Sequence, residues 1–72
     1  MNEAQGSEYI ARINRVCDYI DRHLGEEMTL GELARIAGFS EYHFHRLFAA
    51  MMGETLFAFI QRLRLERAAQ QL

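Results

Sequence analysis

Residues 29–48, TLGELARIAGFSEYHFHRLF, decide the fold of this chain. Thr29 followed three residues later by Glu32 is a capping box, in which each residue satisfies a backbone N–H that the first helical turn leaves without a partner. The helix it opens is short, about 30–37, with Leu33 and Ile36 facing inward. Ala34 stands where a close helix crossing needs a small side chain. Gly38 ends this helix, because glycine enters the left-handed region without steric cost. Ser40 then caps a further helix, about 41–52, that stops before Gly53.

That last helix has two faces. A helix turns about 100° per residue, so Phe44, Leu47, Phe48 and Met51 share one side and Tyr42, His45, Arg46 and Ala49 the other. The first set must be buried against the preceding helices. The second set points outward, with side chains able to reach base edges. A helix about 10–12 Å across fits a major groove about 12 Å wide. Arg46 can donate two hydrogen bonds to guanine O6 and N7, and His45 can donate to a guanine or accept from a base amine. Tyr42 can lie against a thymine methyl or bond a phosphate. Ser40, with the free amides beside it, is a candidate phosphate contact, as are Arg35, His43 and Thr55. The pattern points to a helix presented to double-stranded DNA.

Working outward, residues 1–7 read as a disordered tail, with Ser7 able to cap a first helix that runs to about residue 24. Its stripe is Tyr9, Ile10, Ile13, Val16, Cys17, Ile20 and Leu24, with Gly25 as the expected left-handed stop. His23, near the end of this helix, suits the negative end of its dipole. After Gly53, Thr55 caps a final helix whose inner stripe is Leu56, Phe59, Ile60, Leu63 and Ala68. Arg62, Arg64, Glu66 and Arg67 lie largely outside that stripe. These three arginines are open to contact with DNA, to pairing with Glu66 or with an absent second half, or to simple solvation. The final helix is still in pattern at residue 72, as expected of a fragment of a longer protein.

Bulk properties agree with one small all-α domain. The chain has 72 residues, half of them hydrophobic and a quarter charged, with no Pro. The net charge is −2, which by itself argues against a polyanion partner. Its distribution matters more: residues 1–34 hold three Arg and seven acids, whereas residues 35–72 hold five Arg and three acids. All eight basic residues are Arg, whose planar fork matches phosphate and guanine. Cys17 is the only cysteine, so no internal disulfide can form, and a reducing, cytoplasmic setting is expected. No signal peptide is visible at the N-terminus and no apolar run reaches membrane-spanning length, so no membrane partner is expected.

The chain resembles the first helix-turn-helix of AraC/XylS-family bacterial transcription regulators. The residues that carry the resemblance are Leu30, Leu33 and Ala34, then Gly38-Phe39-Ser40 at the turn, then Phe44, Arg46, Leu47 and Phe48. Gly53 and the run Ile60-Gln61-Arg62-Leu63-Arg64-Leu65 followed by Ala68 are similar to the family's long connecting helix. The helix at 13–24 before Glu26-Glu27 also fits. The resemblance covers roughly residues 8–72. It implies a homeodomain-like three-helix subdomain over 8–53 and a connecting helix over 54–72. It also implies sequence-specific transcription regulation, with the positions of Tyr42, His45 and Arg46 facing the groove. Two departures stand out. The family domain continues into a second helix-turn-helix, and this chain ends before it; Thr55 is followed by Leu56 where family members often have Pro. Family effectors bind a separate domain, so neither a small-molecule ligand nor a cofactor is expected here.

Other chemistries have weak support. His43 and His45, two residues apart, point about 200° away from each other on a helix and cannot chelate one ion. Cys17 sits on an apolar stripe, which suits an inert thiol more than a nucleophile. No nucleophile–base pair or phosphate loop is present, so an enzyme is not expected. The alternative to a DNA reader is a protein-interaction module, with Phe57 and Leu65 on the last helix supporting a homodimer.

Overall fold

A computed structural model describes residues 3–70. They form four helices and, among the described residues, no strand: α1 (Glu3–Arg22), α2 (Leu30–Ala37), α3 (Glu41–Met52) and α4 (Leu56–Gln70). The all-α, helix-turn-helix expectation is met, and three of the four expected hydroxyl caps form, those at Thr29, Ser40 and Thr55. Thr29 Oγ1 accepts from the Glu32 amide at 3.1 Å, Ser40 Oγ from the His43 amide at 3.2 Å, and Thr55 Oγ1 from the Ala58 amide at 3.1 Å. A cap of this kind contributes about 1 kcal/mol.

Gly38 closes α2 with φ 80° and ψ 31°. Its N–H donates to the Arg35 carbonyl at 3.1 Å, and the Phe39 N–H to the Ala34 carbonyl at 3.0 Å. This paired closure reverses the chain within three residues and delivers Ser40 to the start of α3. Gly53 repeats the device at the end of α3, with φ 75° and one bond to the Ala49 carbonyl.

Two expectations at α1 need correction. The helix begins at Glu3, so residues 3–7 are helical and Ser7 is an interior residue, not a cap. Glu, Ala and Gln, the residue types at 3–5, are strong helix formers. Met1 and Asn2 fall outside the described residues. At the other end, Gly25 does not take the left-handed conformation. The carbonyls there are satisfied in another way. The His23 amide bonds Ile20 O at 3.1 Å, and its ring Nδ1–H donates to Tyr19 O at 2.7 Å. The ring also stacks on Tyr19, with centroids 3.8 Å apart. Arg64 of α4 takes two further carbonyls, those of Leu24 and Glu26, at 3.1 and 2.9 Å.

These glycines make a paired prediction. Gly38→Ala forces a Cβ into a left-handed backbone and is expected to cost about 1–2 kcal/mol. The added carbon would meet the Arg12 guanidinium at 3.8 Å, an ordinary contact, so the cost lies in the backbone. Gly25→Ala adds a Cβ in open space at a permitted backbone and is expected to stabilise by roughly 0.4–1 kcal/mol. Urea denaturation of the two variants checks both signs.

One core joins the four helices. It contains Ile13, Val16, Ile20 and Leu24; Leu33, Ala34 and Ala37; Phe44 and Phe48; and Leu56, Phe59 and Ile60. α2 packs against both α1 and α3, and α4 joins through α3. The joint with α4 is aromatic: Phe48 meets Phe44 at 5.8 Å and the edge of Phe59 at 5.3 Å. The two small residues Ala34 and Ala37 are buried where α2 meets its neighbours, which lets the backbones approach.

Three stripe residues are not buried as the helical period suggested. Ile10 is 52% exposed, Met51 is 39% exposed, and Ala68 is also exposed. The reason is length. The 20 residues of α1 rise about 30 Å, whereas the 8 residues of α2 cover about 12 Å. The ends of α1 and α4 therefore overhang, giving extents of 46 × 21 × 18 Å. Met51 lies in the last turn of α3, beyond the reach of the two-turn α2. Burial pushes the pKa of the half-buried Cys17 thiol up, with a smaller contribution from Asp18, so the thiolate is disfavoured.

Candidate nucleic-acid interface

The α2–turn–α3 unit presents one face of α3 to solvent because the opposite face is consumed by the core. Phe44 and Phe48 are wholly buried, and Leu47 packs beside them. On the other side, Tyr42 is 72% exposed, and His45 and Arg46 are exposed with it. Arg46 Nη1 donates to the Tyr42 hydroxyl at 2.8 Å, and the guanidinium carbon lies 5.6 Å from the Tyr42 ring centroid. The acidic residue of this helix, Glu41, leans away: its carboxylate carbon lies 3.5 Å from the position a Cβ would take on Gly31 of α2.

The flanking candidates are spread around this face. Ser40 spends its hydroxyl lone pair on the His43 amide, and its own O–H remains available. His43 is exposed, with its ring 4.9 Å from Phe39 and 6.2 Å from Tyr9. Arg35 is exposed in the last turn of α2 and makes no ion pair among the described residues. Thr55 caps α4 and stands beyond the far end of α3 from Ser40. Ser40 and Thr55 thus bracket a helix about 18 Å long.

Of the partners of the α4 arginines, only Glu66, four residues from Arg62, was among those the chain suggested. Arg62 is held by Glu54 through three donor contacts of 2.7–3.4 Å and by Glu66 at 3.1 Å, so its charge is balanced on the spot. Glu54, then Glu66, raises its pKa further above the ordinary arginine value. Arg64 caps the carbonyls after α1, and Arg67 pairs with Asp21 at 3.0 Å. All three arginines of α4 are engaged within the protein. Sequence reasoning also missed Arg12, which pairs with Glu8 at 2.7 Å and lies over the Phe39 ring at 4.9 Å. With Tyr9, whose ring is 5.4 Å from that of Phe39, it ties α1 to the turn. Arg12 and Tyr9 are separated from Phe39 by 27 and 30 residues, so no local signal exists to find those contacts.

Among the described residues no group of three or more His, Cys, Asp or Glu is placed to hold a metal ion. No helix there is long and apolar enough to cross a membrane.

Residues 33–72 match a family of helix-turn-helix domains. The chain belongs to the AraC-type helix-turn-helix family. An "uncharacterized HTH-type transcriptional regulator" of Staphylococcus aureus is 38% identical over 61 residues, which is 85% of this chain and 8% of that protein. A second regulator of that description, from strain COL, is 36% identical over the same length. The "bifunctional transcriptional activator/DNA repair enzyme AdaA" of Bacillus subtilis is 38% identical over 60 residues, covering 83% of this chain and 28% of AdaA. The chain therefore spans less than a third of each of these relatives. The AraC-type match includes the turn, α3 and α4, so the exposed face of α3 lies within it.

Proposed function

We propose that this AraC-type domain is a sequence-specific DNA-binding module of a bacterial transcription regulator, a binding unit and not an enzyme. In it, α3 enters the major groove, with Tyr42, His45 and Arg46 against base edges. The observation that carries this function is Arg46: it stands exposed on α3, paired with no carboxylate among the described residues, on the side opposite the buried Phe44 and Phe48. An arginine of that kind retains a fork for guanine. Ser40 and the first amides of α3, with Arg35, His43 and Thr55, are the phosphate contacts. Of the two activities in AdaA's name, transcriptional activation is the one taken here, because the shared residues are the helix-turn-helix.

The arginines of α4 are occupied internally, so few cations remain for phosphates. About three such contacts give a log K against log salt slope near −3. Affinity of the isolated chain is expected in the non-specific range of about 10⁻⁴–10⁻⁶ M. Arg46→Ala, measured over a library of duplexes, is expected to lose roughly 1–3 kcal/mol of discrimination at one base position with helicity intact. An unchanged profile would remove Arg46 from the interface, and salt-independent binding would refute the phosphate contacts.

A dimerisation role has one specific observation in its favour. Phe57 and Leu65 are exposed on one broad side of α4. Sedimentation at two concentrations separates a self-associating module from a monomeric reader.

A further inference from the structure

We infer that Tyr42 is a positioning residue for Arg46, so that the two side chains read one base pair as a single unit instead of making two independent contacts. This rests on the groove-reading role of α3 and goes beyond it by assigning how one of its side chains is aimed. Arginine is a long, rotamer-rich side chain, and an exposed one samples many directions unless something holds it. Here Tyr42 holds it twice. Arg46 Nη1 donates to the Tyr42 hydroxyl at 2.8 Å, and the guanidinium lies 5.6 Å from the ring centroid, within reach of a cation–π attraction. The residues are four apart on one helix, the spacing at which side chains meet. Among the described residues no carboxylate pairs with Arg46, and Glu41 is turned toward Gly31 of α2.

The geometry leaves the useful part of each group free. Arg46 commits one Nη1–H, so its Nε–H and Nη2–H edge remains able to bond guanine O6 and N7 together. Tyr42 accepts from Arg46 and keeps its own O–H, polarised by the bond it accepts, to donate to the same base or the adjoining phosphate. A tyrosine acting alone against a thymine methyl would need none of this. The ligand recognised by the pair is a guanine in its base pair.

The test uses four proteins: the native chain, Tyr42→Phe, Arg46→Ala and the double variant. Each is measured over the same duplex library, with folding followed by thermal melting. Phenylalanine keeps the ring and its cation–π contact and deletes only the hydroxyl. Tyr42→Phe is expected to reduce the preference at the base pair that Arg46 reads by about three- to tenfold, the worth of one hydrogen bond. In the Arg46→Ala background the same change should have no effect on preference. Without DNA, the Arg46 guanidinium N–H resonances should be distinct in the native protein and collapse to those of a freely rotating arginine in Tyr42→Phe. A shift of preference at a different base pair, an effect that persists without Arg46, or unchanged guanidinium resonances would overturn the coupling while leaving groove reading standing. A flat response to Arg46→Ala would overturn both.

Discussion

Phe48→Ala is expected to leave this domain largely unfolded at ambient temperature. Phe48 is inaccessible to solvent and sits between Phe44 of its own helix and Phe59 of α4, in contacts of 5.8 and 5.3 Å. Truncating a buried Phe costs about 3–5 kcal/mol through lost transfer energy and the cavity left behind. Edge-on aromatic pairs add roughly 0.5–1.5 kcal/mol apiece, so the upper part of that range applies. A chain of 72 residues has a total stability of roughly 4–11 kcal/mol. So small a core places this domain toward the low end of that range, where about 5 kcal/mol is all or nearly all of the stability. The substitution also removes the aromatic joint between α3 and α4, leaving α4 held by Arg64 and Arg67 at the end of α1. Far-ultraviolet dichroism at increasing urea gives the measurement. A loss below about 1 kcal/mol would mean the aromatic joint is not central to the core.

Leu33→Ala should follow closely, with a loss of about 2–5 kcal/mol. Leu33 is wholly buried on α2, the helix that contacts both α1 and α3. An 8-residue helix is too short to be stable alone, so α2 depends on that burial to exist. Loss of its central side chain should melt the turn with it and release the exposed face of α3 from its fixed orientation. A domain of this size loses about 4–8 °C of Tm per kcal/mol, so a drop of at least about 8 °C is expected. Ile10→Ala is the comparison. Ile10 reads as a core residue in the helical period but is 52% exposed, so its loss should stay within about 0.5 kcal/mol. Equal effects at the two positions would contradict the burial pattern.

The contrast between Leu33 and Ile10 shows where sequence patterns stop. Both are apolar residues at helical spacing. Periodicity tells which side of a helix is apolar; it does not tell how far along that side a partner extends. α2 ends after two turns, short of the full length of the apolar stripes on α1 and α3. Ile10 and Met51 are exposed for that reason. The hydroxyl caps at Thr29, Ser40 and Thr55 were legible because a cap is made with an amide three residues away. Gly38 and Gly53 were legible because the left-handed stop is a property of one residue and its preceding turn. Gly25 looked the same in sequence and is not such a stop. Its neighbouring carbonyls are served by Arg64, which lies about 40 residues further on.

The candidate interface divides along the same line. That Tyr42, His45 and Arg46 share a side of α3, away from Phe44 and Phe48, follows from helical geometry, and so could be read from residue order alone. Which arginines remain for a partner could not. The chain places five of them in residues 35–72. Folding brings Arg64 to Leu24 and Glu26, and Arg67 to Asp21, across 38–46 residues. Interactions within one or two turns are written in adjacent residues. The assignment of a long, charged side chain to an inner partner or to solvent depends on which helix ends meet, and that exists only once the core has closed.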